Sequence, residues 1–402
     1  MVLRFKLRLA VVVSFMFVFA GVIGVFGAES FPVNAKSAAL FDFNSGQFLL
    51  EMNADEKIEP ASFTKVMTLY LAHDGLKNGA ITLKDPVTIS ERAWSMGGSQ
   101  MFLKVGEQEP LEKILKGIAV VSANDACVAV AEHLSGKVEV FVDEMNRKAQ
   151  QLGLTHTTFV NPHGLPADGQ FTSAHDMALL AYHYIKDYPQ VPTLHSMQEF
   201  TYKNITQRNR NGLLKMNVGV DGLKTGYIKT SGYHLLATAQ REGRRLIAVV
   251  MGAENHKIRE TEALHLLNYG FRNFLLKNVL KKDEAVKAVA VKSGKFDTVE
   301  LVAQEGVVVS VARRDKDSVT TLVNIPPQIV APVKKGDVVG QVTVEVEGKP
   351  FRQIKLLAKN DVPKGWQRYV KVGLVIIVLG TLLFLFRSFF GNRRKSKDIV
   401  IH

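Results

Sequence analysis

Two long apolar runs, one near each end of the chain, constrain what can form between them. Leu9 to Phe26 holds only apolar or small residues and follows Arg4, Lys6 and Arg8, the layout of an export signal. Cleavage after Gly27 leaves Val25 three residues back, which is acceptable, whereas cleavage after Ala28 leaves Phe26 there, which is poor. The run is longer than a usual signal core, so an uncleaved anchor is the alternative to a signal peptide over 1–28. The second run, Val372 to Phe386, has Trp366 and Tyr369 before it and Arg387, Arg393, Arg394, Lys395 and Lys397 after it. As a helix that run alone reaches only about 22 Å against a hydrocarbon core of ~30 Å. Val370 to Phe390, with Lys371 and Arg387 snorkelling outward, is long enough. Being apolar all round, the helix should span the bilayer rather than lie flat on it. The expectation is a membrane anchor over 366–391, a basic cytoplasmic tail over 392–402, and everything from residue 29 to about 365 outside the plasma membrane, facing the periplasm or extracytoplasmic space.

These ends also explain the charge. The formal net charge is +13, but residues 364–402 carry eight basic side chains against Asp398 alone, and the first 28 carry three against none. The stretch between them is close to balanced, which excludes nucleic acid as a partner. Cys127 is the only cysteine, so an exported chain of this kind must hold itself together by burial rather than by disulfides. Within the apolar stretch Ala126–Ala131, Cys127 reads as a small buried hydrophobe. A length of 402 residues suits two domains with ancillary segments.

The pattern between the ends is α+β. Ala38–Phe43 and Gln47–Met52 flank Asn44-Ser45-Gly46, a hairpin signal. Helical spacing follows over Phe63–Gly75, Leu111–Leu134 and Val138–Leu152. Strands return at Gly222–Ile228, Tyr233–Arg241 and Arg245–Met251, with a helix around Glu260–Phe274. Strands at both ends of a helical region predict one antiparallel sheet closed by distant segments, in a domain over 29–277. Residues 278–362 are valine-rich, with short alternating runs at Val286–Val291, Val299–Val302, Val307–Val311, Val319–Ile325 and Val342–Val346, punctuated by glycine and proline. They predict a small all-β domain without a chemical constellation of its own.

Three short motifs carry the chemistry: Ser62-Phe63-Thr64-Lys65, Ser122-Ala123-Asn124 and Lys224-Thr225-Gly226. Pro60 and Ala61 place Ser62 at a helix N-terminus, and a three-residue spacing puts Lys65 on the same face. A serine hydroxyl needs a base. Lys65 can be that base only when neutral, which near pH 7 means lowering its pKa about three units, or about 4 kcal/mol. Burial and a second cation would do so, and Lys224 is the natural candidate. Ser122 and Asn124 interrupt an apolar helical stretch, and polar groups buried there need partners. Ser122 would relay protons to a leaving amine, and Asn124 would bond a substrate amide. Lys224-Thr225-Gly226 lies in a strand, where a glycine edge admits an extended peptide and Lys224 and Thr225 meet a carboxylate. Taken singly, each motif has a plainer account: a capping serine with a solvated lysine, a kink bridged by Asp125, a lysine in a turn.

Together the motifs resemble those of the penicillin-recognising serine enzymes, in which they line one cleft. The low-molecular-mass D-alanyl-D-alanine carboxypeptidases, the penicillin-binding protein 5 and 6 type, match best. Further local matches are Pro60–Met67, Gly98–Leu103, Asn161–Leu165 and Asp221–Gly226, and the likeness runs from about Ala35 to Leu357. The resemblance implies a transpeptidase/β-lactamase-like catalytic domain followed by the all-β domain. It implies that Ser62 attacks the penultimate D-alanine carbonyl of a peptidoglycan stem, that the terminal D-alanine leaves, and that water hydrolyses the acyl-enzyme. It further implies an oxyanion hole from the backbone N–H groups of Ser62 and Tyr227, a cleft position for Arg210, and a hold on the terminal carboxylate by Arg259. β-Lactam antibiotics would be covalent inhibitors, and neither cofactor nor metal is called for.

Three departures stand out. Ala123 and Tyr227 replace the family's frequent glycine and histidine, and a spanning run replaces its amphipathic C-terminal helix. A class A β-lactamase would need Glu-x-x-Leu-Asn between the second and third motifs, and no such segment lies between Asn124 and Lys224. A D,D-endopeptidase, and a cell-wall scaffold that recruits protein partners through its β domain, remain as alternatives.

Overall fold

The computed structural model describes residues 31–392. The expected signal peptide and the tail from residue 393 lie outside the described residues.

Asp42 shapes the opening hairpin. Its Oδ1 accepts from the backbone N–H groups of Asn44 and Ser45 at 2.9 and 3.1 Å, and Gly46 takes φ +74° to reverse the chain. The strands it joins, Ser37–Asp42 and Gln47–Met52, begin a five-stranded antiparallel sheet. Ser37–Asp42 next pairs with Arg244–Ala253, then come Gly232–Arg241 and, at the far edge, Val220–Ile228. Residues roughly 200 positions apart thus lie side by side, as the alternation of strands and helices predicted. Both faces are covered. Leu40 on one face meets the helix His256–Asn273 at Gly270, while Phe41 on the other packs its ring 5.2 Å from Tyr182 of the helix Ala174–Asp187. Burial on both sides explains why Leu246 to Met251 reads as a continuous apolar run.

The helical region packs Thr64–Lys77, Asn124–Ser135, Val138–Gln151 and Ala174–Asp187 into one apolar core. The expectation of a continuous helix over Leu111–Leu134 needs correction. It is three pieces: a helix Leu111–Lys116, a π-helical turn Gly117–Val121, and the helix from Asn124. Ser122 breaks it by adopting φ 64°, ψ 37°, and Ala123 is extended. Apolar spacing cannot register this, because the residues on both sides of the break stay buried. Cys127 is fully buried, and burial pushes its thiol up to about 12, which leaves it chemically quiet.

The valine-rich region forms a six-stranded sheet ordered Val319–Asn324, Val338–Val346, Lys349–Ala358, Thr298–Ala303, Ala285–Lys292 and Gln328–Val330, and all but the last pairing are antiparallel. Its core is built almost wholly of Val, Leu, Ile and Ala. Three strands here escaped sequence reading, the short Gln328–Val330 among them. Lys349–Ala358 is charged along much of its exposed face, and Phe274–Leu280 follows the preceding helix without a gap. The expected division after residue 277 falls inside Phe274–Leu280, which pairs with Val307–Ala312; we propose that the domains divide at 273/274.

The two domains are clamped together by Arg244. Its guanidinium donates to Asp42 Oδ2 at 2.6 and 2.8 Å, to Ser310 Oγ at 2.8 Å and to the Phe274 carbonyl at 2.8 Å. Gln47 adds a bond from the Ser310 N–H at 2.6 Å. Beyond the β domain, Gln367–Asn392 is a single helix, of which Tyr369–Ser388 has mean hydropathy 2.4 and is long and apolar enough to cross a membrane.

Candidate active site

Ser62 sits where the sequence expected it, in a 3-10 turn over Ala61–Phe63 that runs into the helix Thr64–Lys77. That turn is held from two sides. His234 accepts from the Gly252 N–H on Nδ1 at 2.9 Å and, through Nε2 at 3.2 Å, bonds the Glu59 carbonyl; burial lowers its pKa to about 4, so the ring is neutral and Nε2 donates. From the other side Gly164 approaches so closely that a Cβ there would fall 1.8 Å from the Ala61 carbonyl oxygen. Gly164 has φ +86°, and the turn that presents it is tied by Asn161 Oδ1, which accepts from the Gly164 N–H at 2.6 Å.

Lys65, one helical turn beyond Ser62, is completely buried. Its Nζ donates to Ser62 Oγ at 3.1 Å, to Asn124 Oδ1 at 2.7 Å and to the main-chain carbonyl of His163. All three donors of an ammonium are used, yet none meets a carboxylate. Burial therefore dominates and lowers its pKa to about 8, with Arg210 pushing the same way. Desolvation leads, as the sequence expected of burial, and Arg210 joins Lys224 as a cation near Lys65. The repulsion between the two lysines is mutual, and Lys224 is itself buried and held well below the usual range by desolvation, then Lys65 and Arg210.

Asn124 is oriented at both ends, since its Nδ2 donates to the Gly97 carbonyl at 2.7 Å. Its neighbour Asp125 accepts from the Met101 and Leu103 N–H groups, both at 3.1 Å, and so fixes the Gly98–Leu103 loop against the helix start. The two adjacent residues thus divide the work, Asp125 holding the loop and Asn124 meeting Lys65 and Gly97. Ser122 is buried, and its Oγ has no hydrogen-bond partner among the described residues.

The third motif runs past the Ser62 turn. A Cβ on Gly226 would lie 3.0 Å from Ala61 Cβ and 3.4 Å from the Pro60 carbonyl oxygen, so a larger residue would press the Val220–Ile228 strand back from the turn. Lys224 and Thr225 are buried, with Lys224 Nζ donating to the Thr225 carbonyl at 3.1 Å. Arg259 ties the strand to Arg210 by donating to the Gly226 carbonyl at 3.3 Å and the Arg210 carbonyl at 3.1 Å, while Arg210 donates to Ser99 Oγ at 2.7 Å. Arg259 is buried, whereas Arg210 is exposed and held at the surface by Ser99. Tyr227 is half exposed, its ring 4.3 Å from that of Tyr233.

Sequence reasoning did not assign roles to Gly97, His163 or His234. The first two act through backbone carbonyls, which no side-chain pattern reveals. Their signal was indirect, in the matching segments Gly98–Leu103 and Asn161–Leu165. Among the described residues no cluster of His, Cys, Asp or Glu suits a metal ion.

A serine-bearing turn, a buried lysine against it and a lysine-bearing strand edge, set between an antiparallel sheet and a helical region, are the arrangement of a serine hydrolase of the Ser–Lys kind. Residues 25–255 match the D-alanyl-D-alanine carboxypeptidase family and residues 274–364 the penicillin-binding protein 5 C-terminal domain. The chain belongs to the D-alanyl-D-alanine carboxypeptidase family. It is 41% identical to D-alanyl-D-alanine carboxypeptidase DacC of Escherichia coli (strain K12), over 88% of this chain and 90% of that protein. It is 37% identical to DacF of Bacillus subtilis (strain 168), over 82% and 86%. Penicillin-binding protein 5 from Haemophilus influenzae superposes with a TM-score of 0.77 at 38% identity, covering 85% of this chain and all of that one. Penicillin-binding protein D2 from Listeria monocytogenes, solved in an ampicillin-bound form, superposes over 61% of this chain and all of that one with a TM-score of 0.56 at 28% identity.

Proposed function

We propose that this protein is a serine D-alanyl-D-alanine carboxypeptidase that trims peptidoglycan pentapeptide stems and is acylated by β-lactams. The observation that carries the mechanism is Lys65, fully buried, without a counter-ion, and 3.1 Å from Ser62 Oγ. With its pKa lowered to about 8, an appreciable fraction is neutral near pH 7. The neutral amine keeps two donors, for Asn124 and the His163 carbonyl, and turns its lone pair to the Ser62 hydroxyl. Ser62 Oγ then bonds the penultimate D-alanine carbonyl carbon as its proton passes to Lys65. The oxyanion that forms is met by the backbone N–H groups of Ser62 and Tyr227. Collapse breaks the C–N bond, and the departing D-alanine amine takes a proton that Ser122 relays. Water, deprotonated by the same base, then cleaves the ester and restores Ser62. Lys224, Thr225 and Arg259 surround the substrate's terminal carboxylate, and Asn124 bonds its amide.

The helix over Tyr369–Ser388 supports a plasma-membrane anchor that keeps the catalytic part on the extracytoplasmic side. Removing residues 366–402 should then release an active soluble protein.

Mass spectrometry of the detergent-solubilised chain with a pentapeptide ending in D-Ala-D-Ala tests the activity, alongside Ser62→Ala. Loss of one alanine by the parent and none by the variant is expected. Cleavage of crosslinked stems with intact pentapeptide would move the assignment to an endopeptidase, and no cleavage of either would leave a binding protein.

A further inference from the structure

We propose that the end of the β domain carrying Phe296 is a second lipid-contacting surface, seated in the phospholipid headgroup layer beside the anchor helix. The inference rests on the reading of Tyr369–Ser388 as a membrane span, and adds to it a surface distant in sequence.

The β domain runs into the anchor helix almost without a linker. The Gly365 N–H donates to the Ser293 carbonyl at 2.9 Å, and Lys364 bridges Gly294, so the chain is still part of the β domain there. One residue later the Trp366 carbonyl accepts from the Tyr369 and Val370 N–H groups at 2.9 and 3.2 Å, the first turn of the helix. From Gly365 to Tyr369 is about 6 Å along a helix axis, about the thickness of one headgroup layer. The Ser293–Phe296 loop, hydrogen-bonded to Gly365, therefore has no room to stand clear of the bilayer surface.

The residues that this places at the interface suit it. Phe296 is 54% exposed, Trp366 68% and Val330 66%, the last in register with Lys292 at the end of its strand. Large apolar side chains in these positions have nothing to pack against in water, whereas aromatics at headgroup depth are favoured. Over the two connected segments 292–297 and 363–366 the exposed charges are Lys292, Lys295 and Lys364 against Asp297. These lysines match lipid phosphates, with their stems along the apolar surface. Lys295 Nζ lies 5.8 Å from the centre of the Phe296 ring, so charge and apolar group are presented together. A second point of contact stops the β domain from pivoting about the helix, which sets the height of the catalytic cleft above the membrane.

The test uses the full chain in phosphatidylethanolamine–phosphatidylglycerol vesicles containing a headgroup nitroxide lipid as quencher. One variant, Trp94→Phe with Trp366→Phe and Phe296→Trp, carries its single tryptophan at position 296; a second, Trp94→Phe alone, keeps only Trp366. Quenching and a blue shift at both positions are expected. Quenching at position 366 with none at 296 would overturn the proposal and leave the anchor intact, whereas quenching at neither would remove the anchor reading and this inference with it. Lys295→Glu with Lys364→Glu should weaken quenching at position 296 and spare 366, and equal quenching with and without these charges would overturn their part in it.

Discussion

Lys65 and Asn124, separated by 59 positions in the chain, meet across a 2.7 Å hydrogen bond from Nζ to Oδ1. That bond joins the first motif to the second and holds the amine still while its remaining direction faces Ser62. It also fixes Asn124 with its amide nitrogen toward the Gly97 carbonyl, so a change at either residue disturbs the other.

The depressed pKa of Lys65 sets the pH dependence. Its neutral fraction grows as pH rises through about 8, so the rate of acylation of Ser62 should rise over that range. Stopped-flow acylation by a fluorescent penicillin from pH 6 to 10 measures it, and a flat profile would remove Lys65 as the base. Lys65→Arg keeps a cation that does not deprotonate and should lower the rate by about three orders of magnitude or more. The same shift bears on stability. Between about pH 8 and the ordinary lysine pKa the unfolded chain holds a proton that the folded chain has lost, so stability rises with pH in that window.

Ser122 combines strain with chemistry. A serine at φ 64° costs about 1 kcal/mol that glycine does not, and its Oγ gives no hydrogen bond in return. Ser122→Gly should therefore raise stability by up to about 1 kcal/mol and lower kcat/KM by about 10²-fold or more. Chemical denaturation and steady-state kinetics on the same preparation check both signs. A variant that lost stability and kept activity would make Ser122 structural.

Gly164→Ala should be among the most damaging small substitutions in the protein. The new methyl would meet the Ala61 carbonyl at an impossible distance, in a backbone conformation that alanine resists. The loop must move, taking the His163 carbonyl from Lys65 and pressing on the Ser62 turn. A loss of more than about 3 kcal/mol, or a folded protein that no longer binds penicillin, is the expected result by thermal unfolding and acylation assay.

Arg244→Ala probes the domain junction. Asp42 is fully buried and would lose its guanidinium partner, which costs about 3–5 kcal/mol when one member of a buried pair is removed. The Ser310 and Phe274 bonds go with it, so the β domain should also become easier to cleave from the catalytic domain in limited proteolysis. An unchanged denaturation midpoint would show that the clamp is dispensable.

Much of the fold was legible because burial leaves a period in the chain. The α+β order, the valine-rich all-β region and the apolar C-terminal helix all follow from it. The break at Ser122 was not legible, since a π-turn and one left-handed residue leave the apolar spacing on both sides unchanged. The strand Phe274–Leu280 was hidden for a similar reason: it takes over from a helix without any turn residue between them.

At the site, the amino-acid sequence by itself determined which groups are available: a serine with a lysine one helical turn away, an asparagine in an apolar stretch, and a lysine beside a glycine that keeps a strand edge open. Those follow from spacing along single elements. What only the tertiary structure decided is the environment that makes them reactive. Lys65 is desolvated and bonded to Asn124 and the His163 carbonyl because three segments distant in sequence close around it. Arg210 adds to its depression because the fold brings Arg210 in through Arg259 and Ser99. A pKa depends on burial and on charges nearby in space, and neither is a property of position along the chain.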